Sequence, residues 1–495
     1  MKNILPITLL LYTTMVFSVK TTQAQTENFK LSDYKNPDYL YQSLDMDFNF
    51  SNGFSLRKSE ESGNSFNLGS SAGGNYLRYL NTAKRQAETS LELGAGFGIS
   101  NHNMEPELNN KTKFRIFSHS ESFQFSTNQR FYNTKKQYFE TSVSLFSGFS
   151  ESKESQKSSG TLVEPGFYER KQINSQNNIT TAISIGKGRI EQVQDAQMAV
   201  YLLNDLQLLN RKNRDVSDEE VLELARLITK LKYKRFFDSR LRRIAEITAV
   251  DSFMQANQIA GKTDAMYFTS LYDNWAYANN PIRQSGYRGY IGLEGNLALR
   301  NATSSRETDI IEGDNPVYDY TDRLTSTGAF LVAGYLYEKP ISLKWQKSAH
   351  VRAGFGMARE SSEMKDRLTD LTTKHYAEVF PSINLSADYG YGFYPNTRTW
   401  ATLNWTLQAG WNKEITGETE ETKTDLQKHF SARTGPEVNF YYYISPKLRL
   451  SASFYSRLNI HQLELLREDV NESDRKSTST RWNQGLSVTL NYSIF

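Results

Sequence analysis

The chain has 495 residues, 38% hydrophobic and 13% aromatic, with no cysteine and a formal net charge of +3. Charge so close to balance leaves no electrostatic footprint for nucleic acid as a partner. The lack of cysteine excludes a disulfide framework, a lipidated N-terminal cysteine and any thiolate metal site.

Residues 1–24 place Lys2 ahead of an apolar run from Ile4 to Val19 and end on small and polar residues at Ala24, the pattern of a secretory signal peptide. The run contains Pro6, Thr8, Thr13 and Thr14, and no later apolar stretch approaches the ~18 residues of a membrane helix. Residues 25–40 read as an N-terminal segment of the exported chain.

From residue 41 apolar and polar positions alternate. Leu44, Met46, Phe48 and Phe50 are set against Asp45, Asp47 and Asn49, and Leu91, Leu93, Ala95, Phe97 and Ile99 against Glu92 and a run of glycines. The pattern returns near 143–145, 179–185, 291–299, 329–335, 351–357, 383–389, 448–454 and 486–494. In TWATLNWTLQAGWN, residues 399–412, Trp405 and Trp411 fall on the apolar side. With less regular runs near 64–80, 113–132 and 428–444, period-two counting predicts about fourteen strands, six over 41–187 and eight over 283–495. Tight connections near 81, 133, 338, 395 and 445 alternate with long charged ones near 301, 359, 415 and 463, as in an up-and-down meander with two different ends. Aromatic residues crowd the tight turns: Phe131, Tyr132, Tyr138, Phe139, Tyr335, Tyr337, Trp345, Phe393, Tyr394, Trp400, Phe440, Tyr441, Tyr442 and Tyr443. Apolar rings with a polar edge favour the headgroup level of a bilayer, so a lipid-facing girdle is expected there.

Residues 188–282 break the pattern, with a period near 3.6. Val193, Ala196, Ala199, Val200, Leu203 and Leu206 predict a first helix. Ser217 with Glu220 forms a capping box for a second, whose stripe is Val221, Leu224, Leu227, Ile228 and Leu231, with Val216 as the hydrophobic staple. A third runs from about Ser239 through Ile244, Ile247 and Val250 to Gly261, and a fourth is capped by Thr263. Counting connections places this insert at the tight-turn end. Its bulk excludes it from the interior of a cylinder of about fourteen strands. Gly186 and Gly188 lack the Lys-Ser/Thr of a phosphate loop and read as the exit from the sixth strand.

The polar sides carry Asp45, Asp47, Glu92, Glu140, Arg288, Glu294, Arg300, Arg352, Asp388, Arg433, Glu437 and Arg449, which line the interior if the apolar sides face lipid. That interior is expected to be narrow and wet, or blocked by residues 26–39 or by inward-folded loops. In the insert, Lys230, Lys232, Lys234, Arg235, Arg240, Arg242 and Arg243 form a basic cluster. It is either a solvated face balanced by nearby acids or a surface for anionic headgroups or an acidic periplasmic partner. The six histidines are scattered, without an H-E-x-x-H pair or a G-x-S-x-G elbow, so no catalytic residue, metal site or cofactor is expected.

On these features the chain resembles the Gram-negative outer-membrane β-barrel class. Phe495 stands where many such proteins carry a terminal aromatic, one position out of phase with Tyr492 and Ile494, and the Asn-, Lys- and Tyr-rich composition is similar to Bacteroidota proteins. The resemblance implies an all-β transmembrane up-and-down antiparallel barrel with an α-helical insert between the sixth and seventh strands. It also implies outer-membrane location, insertion by the barrel assembly machinery and contact with outer-membrane lipid. Two functions stay open: a narrow channel or transporter for a small polar or amphipathic solute, and a scaffold whose helical insert docks a periplasmic protein for envelope or export work.

Overall fold

The structure, a computed structural model, describes residues 29–57, 62–105, 111–159, 166–232, 239–277, 282–308, 317–377, 379–417, 423–445, 448–467 and 475–492. Residues 1–24, where the sequence suggests a signal peptide, and Lys234, Arg235 and Phe495 lie outside them. Fifteen antiparallel strands form one sheet: β1 (Tyr39–Arg57), β2 (Ser62–Asn81), β3 (Arg85–Glu105), β4 (Lys111–Tyr132), β5 (Gln137–Ser159), β6 (Gly166–Gln192), β7 (Gln284–Thr308), β8 (Tyr318–Pro340), β9 (Trp345–Asp366), β10 (Thr372–Ala377), β11 (Phe380–Phe393), β12 (Thr399–Gly417), β13 (Lys423–Ser445), β14 (Leu448–Arg467) and β15 (Arg475–Tyr492). Short β10 and β11 share one track, since both pair with β9 on one side and β12 on the other. The sheet therefore has fourteen strand positions in an up-and-down order. Among the described residues β1 and β15 do not pair with each other.

The sheet is rolled. Gln86 Nε2 on β3 donates to the Ile190 carbonyl on β6 at 3.1 Å, and Arg189 on β6 reaches Asn81 Oδ1 and the Thr82 and Ala83 carbonyls at 2.8, 2.9 and 3.1 Å. Three strand spacings in a flat sheet are ~14 Å, beyond the reach of a glutamine side chain. Register shows which side is inside. Starting from Gln86, the paired positions carry one face through Asp45, Glu92, Glu140, Arg288, Arg352 and Asp388, and the opposite face holds the exposed apolar side chains. Among the described residues no second sheet covers that outer face: Trp405 is 53% exposed, its Nε1 donating to Thr434 Oγ1 at 2.9 Å.

The strands are longer than the alternation suggests, up to 27 residues in β6. Segments read from sequence as long charged loops are largely strand, since Arg359–Asp366 continues β9 and Asn301–Thr308 continues β7. Beyond the apolar stretch both faces turn polar, so period two disappears from the sequence while the hydrogen-bond ladder continues. Cross-strand ion pairs hold this part outside, Lys153 with Glu169 at 2.6 Å and Lys171 with Glu151 at 2.9 Å.

Between β6 and β7 lie four helices, α1 (Gln194–Leu208), α2 (Asp218–Lys232), α3 (Ser239–Ala256) and α4 (Ala265–Ala276). They hold the apolar core of the molecule, with Leu202, Leu203, Leu206, Leu224, Ile228, Met254 and Leu271 all buried. The capping box forms: Ser217 N donates to Glu220 at 2.9 Å and Glu220 N to Ser217 Oγ at 3.3 Å, with Val216 packed on the core. One expectation fails. α4 is capped by Asp264, whose carboxylate accepts the Tyr267 amide and pairs with Arg211 at 2.7 Å, a stronger cap than the Thr263 hydroxyl. α3 leaves Ile244 exposed and buries Glu246, Val250 and Met254, Glu246 accepting Trp275 Nε1 at 2.6 Å and Arg242 Nε at 2.7 Å.

Residues 29–34 also join this core. Phe29, Leu31 and Tyr34 are buried, the Tyr34 hydroxyl lies 2.6 Å from Thr229 Oγ1, and a 3-10 turn at Leu31–Asp33 rests against β7 and β8. The N-terminal segment is thus wedged between helices and sheet at the tight-turn end and does not thread the interior. β6 also outruns its expected end. It continues to Gln192, and Gly188, at φ +105°, lets the backbone pass where a Cβ would stand 2.2 Å from the Tyr287 carbonyl oxygen.

Two substitutions test this layer. Asp195 is buried, holding Lys232 Nζ at 2.6 Å and accepting from Thr229 Oγ1 at 2.6 Å. Asp195→Asn leaves the lysine without its counter-charge and is expected to cost about 3–5 kcal/mol in denaturant unfolding of the helical signal. The Arg214 guanidinium and the Ser217 amide hold the Glu220 carboxyl down at about 2, below its ordinary value. Its contribution to stability is therefore complete above the unfolded-state value near 4.5 and is lost as pH falls toward about 2. Melting of the wild type should fall more across that window than melting of Glu220→Gln.

Candidate functional site

The inner face encloses a cavity of about 210 Å³ between β4 and β9. Two ion pairs cross it. Arg130 Nη2 meets Glu140 at 2.8 Å, the two residues being register partners on β4 and β5. Arg352 Nη2 donates to both oxygens of Glu294 at 2.7 and 2.6 Å across the intervening β8, and its Nη1 donates to Asn384 at 3.3 Å. Arg288 enters the same cavity and makes no hydrogen bond or ion pair with the described residues. Arg130 Nε and Asn128 Oδ1 are buried there without a protein partner.

Four of the sequence candidates, Glu140, Arg288, Glu294 and Arg352, therefore converge. Arg433 joins Arg352 around a second, wider cavity of about 540 Å³ with Asn384, Gln408, Asn459 and His461. Glu437 accepts Arg457 at 2.6 Å, and Arg449 lies over the Tyr441 and Tyr443 rings at 5.6 and 5.9 Å. Asp388 stands opposite His350 in register. Asp45 and Asp47 on β1, Glu92 on β3 and Arg300 on β7 share the inner face but are exposed and apart from the cluster. Arg130 escaped sequence reading because 113–132 alternates poorly; its signal is the register that sets it opposite Glu140.

Toward the tight turns the inner face is closed by rings and guanidinium groups. The aromatic girdle expected from sequence divides in two. Phe131, Phe139, Tyr335, Trp345 and Tyr442 point outward and are exposed, whereas Tyr132, Tyr138, Tyr394 and Trp400 point inward and are buried. Strand phase decides, since neighbouring residues occupy opposite faces. Trp400 stacks on Tyr441 at 4.6 Å, and Arg189 and Arg283 each lie 4.9 Å over a ring, Tyr132 and Tyr394.

The helices fasten onto this layer as a floor. Gln197 Nε2 donates to the Leu343 carbonyl at 3.3 Å, Tyr201 donates to the Tyr394 carbonyl, Arg398 pairs with Asp273, and Tyr277 meets Tyr443 edge-on at 5.4 Å. Arg283, between α4 and β7, donates to the carbonyls of Ser342 at 3.0 Å, Trp345 at 2.9 Å and Leu343. Burial pulls its guanidinium down to about 10, still charged at neutral pH.

The basic cluster of the insert is mostly engaged. Lys232 is buried against Asp195, Arg242 pairs with Glu246, and Arg243 lies 3.9 Å from Glu246 and 5.4 Å over the Tyr272 ring. Lys230 is exposed, while Lys234, Arg235 and the Arg240 side chain lie outside the description. A continuous free basic face is not present among the described residues. These cations instead neutralise carboxylates that the helix packing buries. Among the described residues no three His, Asp or Glu side chains gather as a metal site requires.

Outside, the apolar band ends in register on β8 and β9. On β9 it runs from Ala349 through Val351, Ala353 and Phe355 to Met357, with Lys347 and Trp345 on the same face below it, and gives way at Arg359; on β8 it ends at Ala329 and gives way at Thr327, the register partner of Arg359.

Replacing Arg283 with Met removes three charge-assisted bonds to one turn, each worth about 1.5–3 kcal/mol. Faster amide hydrogen exchange over residues 341–345 is the expected outcome, with the helical core unchanged.

Neither the models of known protein families nor the curated proteins contain a match to this chain.

Proposed function

We propose that the protein is an outer-membrane β-barrel, closed by pairing of β1 with β15, that passes a small polar or amphipathic solute through a gated interior. The outward apolar band carries this reading. On β9 it covers about 9 residues, Ala349–Met357, which for strands tilted ~45° is ~20 Å along the normal, near the ~25 Å apolar belt of such barrels. An apolar surface this extensive also requires a cover. Fourteen positions leave the first and last strands antiparallel, as closure needs, and two open edges are a liability that closure removes. Insertion by the barrel assembly machinery follows from this reading.

Inside, paired charges on a wet face suit a polar solute, while the floor of helices, tyrosines and arginines suits a gate better than a permanently open pore. A second reading is a scaffold. It is favoured by apolar side chains left exposed on the helices, Ile244, Met266, Phe268 and Tyr272, which suit docking of an envelope partner.

The test is planar-bilayer conductance, after a heat-dependent gel shift has established a closed barrel. The gated reading expects low conductance from the whole protein and a severalfold rise when residues 194–276 are replaced by a short turn. Silence in both forms, with an envelope defect that follows the helices, would select the scaffold.

A further inference from the structure

We propose that the cavity at Arg288 is a binding site for a small monocarboxylate with a short apolar body. This deepens the transport reading and rests on it for the inner face being a solute path. Three guanidinium groups and two carboxylates line the cavity. Arg130 is matched by Glu140 and Arg352 by Glu294, so one positive charge remains, on Arg288, to which no described residue offers an acceptor. A second observation points the same way. Arg130 spends its Nη2 on Glu140, while its Nε is buried with no acceptor. A buried donor left unmade is costly, and such groups in native structures mark a missing partner. The missing group thus carries an acceptor and one negative charge, and Asn128 Oδ1, buried without a donor in the same lining, takes a water beside it.

The remaining wall chooses among anions. Val332, Leu336 and Ala182 add apolar surface to the lining, Leu336 as the register partner of Arg288, which suits a carboxylate with a few carbons better than a fully hydrated inorganic ion. A volume near 210 Å³ admits a body of a few carbons and excludes oligomers. A planar carboxylate matches the fork of a guanidinium, and the charge-assisted bonds are stronger than neutral ones. Glu140 and Glu294 repel a second negative charge, so dianions are disfavoured.

Equilibrium dialysis of the purified, detergent-solubilised full chain, with butyrate as probe and n-butylamine as its cationic counterpart, provides the test. Butyrate is expected to bind saturably and butylamine not to compete. Arg288→Gln should weaken butyrate binding by about tenfold or more, the loss of one charge-assisted contact. Val332→Asp, which places a carboxylate in the cavity without altering Arg288, should abolish it. The gel shift reports folding of each variant; if Arg288→Gln does not fold, Val332→Asp and Arg288→Lys decide, the latter retaining weakened binding. No saturable binding to the folded wild type, or unchanged binding in the folded variants, overturns the site. Binding without conductance keeps the site and removes the transport reading; conductance without binding does the reverse.

Discussion

A β-strand sorts its side chains to opposite faces at alternate residues, and a register kept in phase from strand to strand extends that sorting over the whole sheet. Here it carries Asp45 on β1 and Arg449 on β14 to the same side of a sheet of fourteen positions, with Phe48 and Phe454 on the other. A slip of one residue in any strand would bring its charges out among the apolar side chains and its apolar residues onto the charged face. The register is therefore under constraint from both sides at once. Irregular backbone falls at Gly435 in β13, at φ +157°, and where the chain leaves the sheet for the helices. There Gly188 and Gly286, at φ +105° and +128°, allow β6 and β7 to approach more closely than a side chain would permit.

The sheet has almost no apolar interior of its own. Its inward side chains are mostly polar, with Val332, Leu336 and a few rings among them, and the conventional core, from Phe29 to Trp275, belongs to the helices and the N-terminal segment. Cohesion of the strands thus comes from the backbone ladder, from cross-strand pairs such as Arg130 with Glu140, and from whatever covers the outer face. The helical floor is a different kind of solid. It packs by burial, and it is joined to the sheet by directional bonds: the Arg283 guanidinium on three carbonyls, Tyr201 on another, and rings stacked under arginines. Two parts held by different forces can loosen independently, which is the physical basis for regarding their junction as a gate.

Inside, charges are arranged by cancellation. Glu140 and Glu294 each take one arginine and leave Arg288, at the centre of the residues that sequence reading had singled out, without an acceptor. Buried or half-buried ions of this kind persist only when paired or wet, so the uncancelled one is informative where the others are structural.

Strand phase, strand count, the helical interruption and the Ser217–Glu220 capping box were legible in the residues themselves, because each depends on local spacing of 2, 3 or 3.6. The ends of the strands were not, since past Met357 both faces are polar and no alternation marks the ladder. Nor was the fate of the aromatic cluster, where phase sends Trp345 outward and Trp400 inward, nor the burial of Lys232, Arg242 and Tyr34, which depends on what packs beside them. By itself the sequence determined that the chain is a two-faced meander carrying a helical insert. Only the tertiary structure decided which charges meet, which remain unmatched, and that the helices close one end, because those outcomes depend on distances between residues far apart along the chain.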